Sequence, residues 1–209
     1  MKGVDISKHQ PSLTIEAVKR AGFDFAILRG GYTGYGSART KNKDICFEKW
    51  YKQAKQLGFP VGVYYYSCAK TMDEGEAEAE FLFKNCLQGK RFEFPIYIDI
   101  EDERWQTTDK KGVTDAIIGF CEYLEDRKFF VGIYTSTWWL NNRLESSRLE
   151  SYSKWVAAWR KTKPSVPWNG FHLWQNSDNG RVGNVRVDTD ISYLDFPAVI
   201  KRAGLNGYV

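Results

Sequence analysis

Two histidines, four cysteines and no apolar run near the roughly 18 residues of a membrane span leave this 209-residue sequence little basis for metal, disulfide or membrane readings. Cys46, Cys68, Cys86 and Cys121 include no C-x-x-C pair, and His9 and His172 form no H-E-x-x-H, so zinc has no ligand framework and no metal site is expected. The thiols read as free groups, mostly packing helices. Thirty basic against 26 acidic side chains give +4, too small and too scattered to mark a nucleic-acid surface. Neither G-x-S-x-G nor a Cys with a His partner is present to supply a Ser or Cys nucleophile. The run "GGYTGYG" at 30–36 is neither G-x-G-x-x-G nor a P-loop; it reads as a flexible rim, and no cofactor is expected. Met1 leads straight into a strand-like segment, without the basic and apolar leader of an exported chain.

Aromatic residues are plentiful. Eight Trp, 12 Tyr and 13 Phe make up 16% of the chain, more than a core of this size needs, so some rings should line a cleft. The length suits one domain over residues 1–209, expected as a monomer, burying on the order of 70% of its unfolded surface. Strand-like runs at 3–6, 23–28, 60–66, 94–100 and 129–135 are each followed by helical spacing, beginning near Ser12, Asn42, Met72, Lys110 and Thr137. Gly22 and Gly58 stand where helix C-caps belong. After Ser153 the helices drop out, and runs at 155–159, 171–175 and 185–192 alternate with short loops before a terminal helix over 197–203. Five βα units followed by three strands with few helices describe an α/β fold, a (β/α)-type barrel whose final third is closed by hairpins.

In such a barrel the chemistry collects at the C-terminal ends of the strands. In "FPIYIDIE", Ile96, Ile98 and Ile100 take the helix-facing side, while Tyr97, Asp99 and Glu101 point inward. Asp99 and Glu101 are then roughly 6.6 Å apart along the strand, close enough to hold one another's pKa values apart. Asp5 joins them from the first strand and Asp188 from the last. In "VRVDTDIS", Asp188 and Asp190 share the inward face. Trp105, Trp138, Trp139, Trp159 and Trp174 fall near strand ends, where flat rings can stack on sugars. The acidic run 73–80 reads as a helix N-terminus with a solvated face.

The segments "GVDISKHQ", "PIYIDIE", "GIYTSTWW", "WVAAW", "LWQNS" and "VDTD", in this order and spacing, resemble glycoside hydrolase family 25, the Chalaropsis-type lysozymes. The resemblance implies a flattened TIM-like (β/α) barrel and a muramidase that cuts the β-1,4 bond from N-acetylmuramic acid to N-acetylglucosamine in bacterial peptidoglycan. It implies Glu101 as general acid, Asp99 beside it, and Asp5 and Asp188 completing the cluster. Arg29, Tyr64, Tyr66, Tyr134, Trp159 and Gln175 are the candidate substrate contacts. Three positions depart from the pattern: Tyr65 where His is common, Arg29 with Gly31 where Lys or Arg precedes an acidic residue, and Asp190 where Asn is usual. The partner expected is cell-wall peptidoglycan, met at the wall or outside the cell, with neither nucleic acid nor membrane insertion. Two other readings stay open: a hydrolase using Mg²⁺ or Ca²⁺ on the carboxylates, and a glycan-binding barrel without catalysis.

Overall fold

A computed structural model describes residues 1–34, 38–102, 109–166 and 168–208. Among these, the elements are β1 (Lys2–Ile6), α1 (Ile15–Arg20), β2 (Phe25–Thr33), β3 (Lys41–Lys43), α2 (Phe47–Leu57), β4 (Val61–Tyr66) and α3 (Met72–Leu82). There follow β5 (Ile96–Asp99), α4 (Lys110–Glu125), β6 (Val131–Ser136), α5 (Thr137–Asn142), β7 (Ser153–Ala157), β8 (Phe171–Val182), β9 (Val185–Ser192) and α6 (Phe196–Ala203). Short polar caps set several helix starts. Thr71 accepts from the Glu74 N–H, Asp109 from Gly112, Ser136 from Trp139 and Asp195 from Ala198. Gly58 ends α2 in the left-handed conformation at φ 58°, as its place in the sequence suggested.

Eight strands close into a TIM-like barrel. β1 pairs with β2, β2 with β4, and β4 through β8 pair in succession, all parallel; β9 runs antiparallel between β8 and β1. The hairpin expectation for the last third therefore needs correction, because β7 and β8 are parallel and only β8 to β9 is a hairpin. β3 is an added edge strand on β2. It forms because β2 continues through Gly30 and Gly31 to Thr33, so the first half of the run read as a flexible rim is strand; residues 35–37 lie outside the described residues.

Two apolar shells follow from strand parity. Outward residues such as Val63, Ile96, Ile98 and Val187 pack with the helices. Inward residues Phe25, Ile27, Tyr97, Tyr134, Trp155 and Leu173 fill the barrel, and Phe196 and Ile200 of α6 join them as a plug. Helices α3 and α4 approach so closely that a Cβ on Gly75 would lie 2.0 Å from the Ala116 carbonyl oxygen, leaving room for glycine alone. The four cysteines are free and buried. No described helix is long and apolar enough to cross a membrane.

Candidate active site

Above the aromatic filling, the inward positions turn acidic. Trp155 packs against Tyr97 and Tyr134, with ring centroids 5.2 and 4.4 Å apart, and edge-on to Tyr64 at 6.0 Å. This slab is an apolar floor. Asp99 ends β5 on it, 3% exposed, in register with Tyr66 of β4 and Tyr134 of β6. Glu101 follows at the open end of the strand and is exposed. Asp5 lies directly opposite Asp188 in the β1–β9 pairing.

The cleft has two arms. A closed arm of about 400 Å³ is lined by Lys8, Arg29, Tyr32, Tyr64, Tyr66 and Asp99, among others. A wider arm of about 540 Å³ is lined by Tyr134, Trp159, Asp178, Val185 and Arg186, so the β8–β9 hairpin forms one wall. Glu101, Asp188, His9 and Gln10 belong to both arms, which meet there.

Burial raises every acid of the cluster. Asp99 is pushed well up by the apolar floor, then by Glu101 and Asp5, with Arg29 opposing. Glu101 is reached by solvent but hemmed in by protein; that reduced hydration raises its pKa, Asp188 raises it further, and the nearby Tyr134 hydroxyl opposes. Asp188 is raised by burial and then by Asp178, against Arg186. Asp5 and Asp190 are both pushed well up, again chiefly by burial, and then by a neighbouring carboxylate, Asp188 for Asp5 and Asp5 for Asp190. Asp190 Oδ1 accepts from Trp155 Nε1 at 2.8 Å, while Asp5 Oδ2 accepts from Gln175 Nε2 at 2.9 Å; Asp190 Oδ2 is buried with no hydrogen-bond partner among the described residues.

Of the expected contacts, Arg29, Tyr64 and Tyr66 line the closed arm, and Tyr134 and Trp159 the wider one. Gln175 lines neither. It is 2% exposed, and its Oε1 accepts from both Tyr134 OH (2.9 Å) and Trp159 Nε1 (3.0 Å) while its amide donates to Asp5. It ties together three residues that line the cleft, Tyr134, Trp159 and Asp5. The expectation of a tryptophan-lined cleft also narrows. Trp139 and Trp174 are buried, Trp138 is exposed without lining either arm, and Trp105 lies outside the described residues.

Three features went unread in the sequence. Arg29 donates Nε to Asp44 at 2.8 Å and Lys8 donates to Tyr32 OH at 2.7 Å, and neither Lys8 nor Tyr32 was singled out within the segments "GVDISKHQ" and "GGYTGYG" that contain them. Glu78, within the acidic run expected to be solvated, is 3% exposed; it accepts from Thr33, Ser67 and the Cys68 N–H, tying β2 to the end of β4. Among the described residues, no group of three or more His, Cys, Asp and Glu is arranged to hold a metal ion.

Known proteins share this framework. The family model "Glycosyl hydrolases family 25" matches residues 4–185. An autolytic lysozyme of Clostridium acetobutylicum is 27% identical over 193 residues, 91% of this chain, and Lysozyme M1 of Streptomyces globisporus is 29% identical over 204 residues. The chain spans 55% and 66% of the length of these two relatives. The crystal structure of a bacterial lysozyme from Streptomyces coelicolor superposes with a TM-score of 0.82 at 26% identity, covering 100% of this chain and 98% of that one. The CTP1L endolysin shares the fold at a TM-score of 0.82 and 23% identity, covering 96% of this chain and 69% of that one.

Proposed function

The chain belongs to glycosyl hydrolases family 25, and we propose that it is a lysozyme cutting the β-1,4 bond between N-acetylmuramic acid and N-acetylglucosamine in bacterial peptidoglycan. The observation that carries this reading is the place of Glu101 at the junction of the two arms, with Asp99 buried on the floor of one of them. A glycosidic oxygen is a poor leaving group until protonated, and an acid held above its ordinary pKa keeps its proton near neutrality. Glu101 donates that proton, the C1–O bond breaks, and positive charge develops on the sugar in the closed arm. Asp99 Oδ1 has no hydrogen-bond partner among the described residues, so it is free to accept from the N–H of that sugar's 2-acetamido group. Held this way, the acetamido oxygen attacks C1 and forms a cyclic intermediate, its positive charge facing Asp99. Glu101, now a carboxylate, takes a proton from the water that opens the ring. Asp5 and Asp188 complete the acidic mouth, with residues 1–209 acting as one catalytic unit at the cell wall.

Clearing of a suspension of purified cell walls tests the reading. Turbidity should fall with the enzyme and fall equally in the presence of a chelator. Loss of clearing in chelator, restored by Mg²⁺, would favour the metal-dependent hydrolase, and binding without clearing the glycan-binding barrel.

A further inference from the structure

The four carboxylates occupy one side of the closed arm; the other side is cationic. Arg29, on β2, is 7% exposed, and its Nε is bound to Asp44 Oδ2 at 2.8 Å. Its Nη2 is buried and has no hydrogen-bond partner among the described residues. A buried donor left in this state costs about 1–3 kcal/mol, so the site is built for an acceptor that arrives with a ligand. Asp44 cannot supply it, because Oδ2 is shared with the Lys8 N–H at 2.9 Å and Oδ1 accepts from the Cys46 N–H.

Lys8 stands next to this guanidinium. Its Nζ donates to Tyr32 OH at 2.7 Å and lies 4.2 Å from the ring centroid, while the Arg29 guanidinium lies 5.0 Å from the same ring. Tyr32 thus joins the two cations. An ammonium has three donors, and this hydrogen bond uses one. Two cations against the single Asp44 carboxylate leave one unit of positive charge at this end of the arm. His9 adds none near neutrality, since burial and then Arg29 and Lys8 lower its pKa. Asp99 feels Arg29 across the cleft.

We infer that the closed arm ends in a carboxylate-binding subsite formed by Arg29, Lys8 and Tyr32, which recognises an acidic substituent on the sugar held beside Asp99. This rests on the glycosidase reading and sharpens it. A neutral N-acetylglucosamine offers this end of the arm only hydroxyl acceptors; an acid-bearing amino sugar offers an anion to its uncompensated positive charge. In a wall glycan the carboxylate has two sources: the free lactyl group of a muramic acid without its peptide, or a carboxylate of the attached stem peptide.

The test compares three substrates: peptide-free glycan strands, the same strands with lactyl carboxylates converted to methylamides, and uncrosslinked strands that keep their stems, with stem carboxylates free or methylated. The wild type should cut a carboxylate form with a kcat/KM about tenfold above its neutralised counterpart, the scale of one charge-assisted hydrogen bond. Lys8→Met should bring that ratio close to one, and Arg29→Lys, which keeps the charge but loses the fork, should lower it in part. A preference among peptide-free strands identifies the lactyl group, and one confined to stem-bearing strands identifies the stem. Equal cutting of charged and neutralised substrates, or a preference that survives Lys8→Met in a folded protein, would overturn the subsite while leaving the glycosidase reading intact. Failure of the wild type to cut any of the strands would instead remove the glycosidase reading itself.

Discussion

Asp5 and Asp188 are direct cross-strand partners between β1 and β9, two carboxylates opposed at the mouth of the barrel. Like charges in that arrangement repel, and the pair is divided by environment. Asp5 is buried and held by Gln175, whereas Asp188 is half-buried and stands where both arms meet. Among its neighbouring charges, Asp188 raises the Glu101 pKa most, ahead of Asp102.

Asp188→Asn should lower wall lysis by about tenfold or more and move the basic limb of the pH profile to lower pH. The sign follows from the coupling: Asp188 raises the Glu101 pKa, so without its charge Glu101 loses its proton earlier as pH rises. Asp190→Asn should change lysis less than about threefold. Burial works against a charge on Asp190, and the oxygen of an amide can go on accepting from Trp155 Nε1. Rates for both variants between pH 4 and 9 check this, and the reverse ranking would exchange the roles of the two residues.

Glu101→Gln keeps shape and hydrogen bonding but has no proton to give, so lysis should fall at least about 10²-fold. A folded variant that keeps more than half its activity would remove Glu101 from the role of acid.

Asp99→Asn should abolish most activity and yet stabilise the fold at neutral pH. The folded pKa of Asp99 lies well above its unfolded value, so its contribution to stability is full below about pH 4 and is lost as pH rises through the folded value. Removing the charge should raise Tm at pH 7 by roughly 2–8 °C, with the gain shrinking towards pH 4. Thermal melts at both pH values check the sign; an equal loss at both would mean that the carboxylate supports the fold.

Lys154 offers a test away from the cleft. It is fully buried at the start of β7, with Nζ donating to the carbonyls of Leu149 (2.9 Å), Tyr152 (3.0 Å), Asn169 (2.9 Å) and Glu150 (3.3 Å). Burial lowers its pKa to about 8, which still leaves an ammonium at neutral pH. Lys154→Met leaves four acceptors without their donor and should lower Tm by roughly 6–12 °C, about 3 kcal/mol in a chain of this size. A melt within 2 °C or so of the wild type would show that the cage contributes little.

What the sequence reveals and what it hides divide along physical lines. The period-2 rule placed Ile96, Ile98 and Ile100 against the helices and Asp99 inward, because parity is local and β5 is buried on both sides. The same rule brought out β9 over residues 185–192. The burial of Gln175 was not legible, because it depends on Tyr134 and Trp159, which arrive from other parts of the barrel. Glu78 was read as solvated because a helical carboxylate normally faces water, and its partners Thr33 and Ser67 become neighbours only when β2 and β4 align. The parallel pairing of β7 with β8 escaped for a similar reason: among the described residues, no helix fills the connection between them to signal a crossover.

The identity of the new chain end tests the central claim most directly. Purified peptidoglycan digested with the enzyme, reduced with borohydride and analysed by mass spectrometry should carry its new reduced ends on N-acetylmuramic acid. New ends on N-acetylglucosamine, or released peptide stems with the glycan uncut, would contradict it.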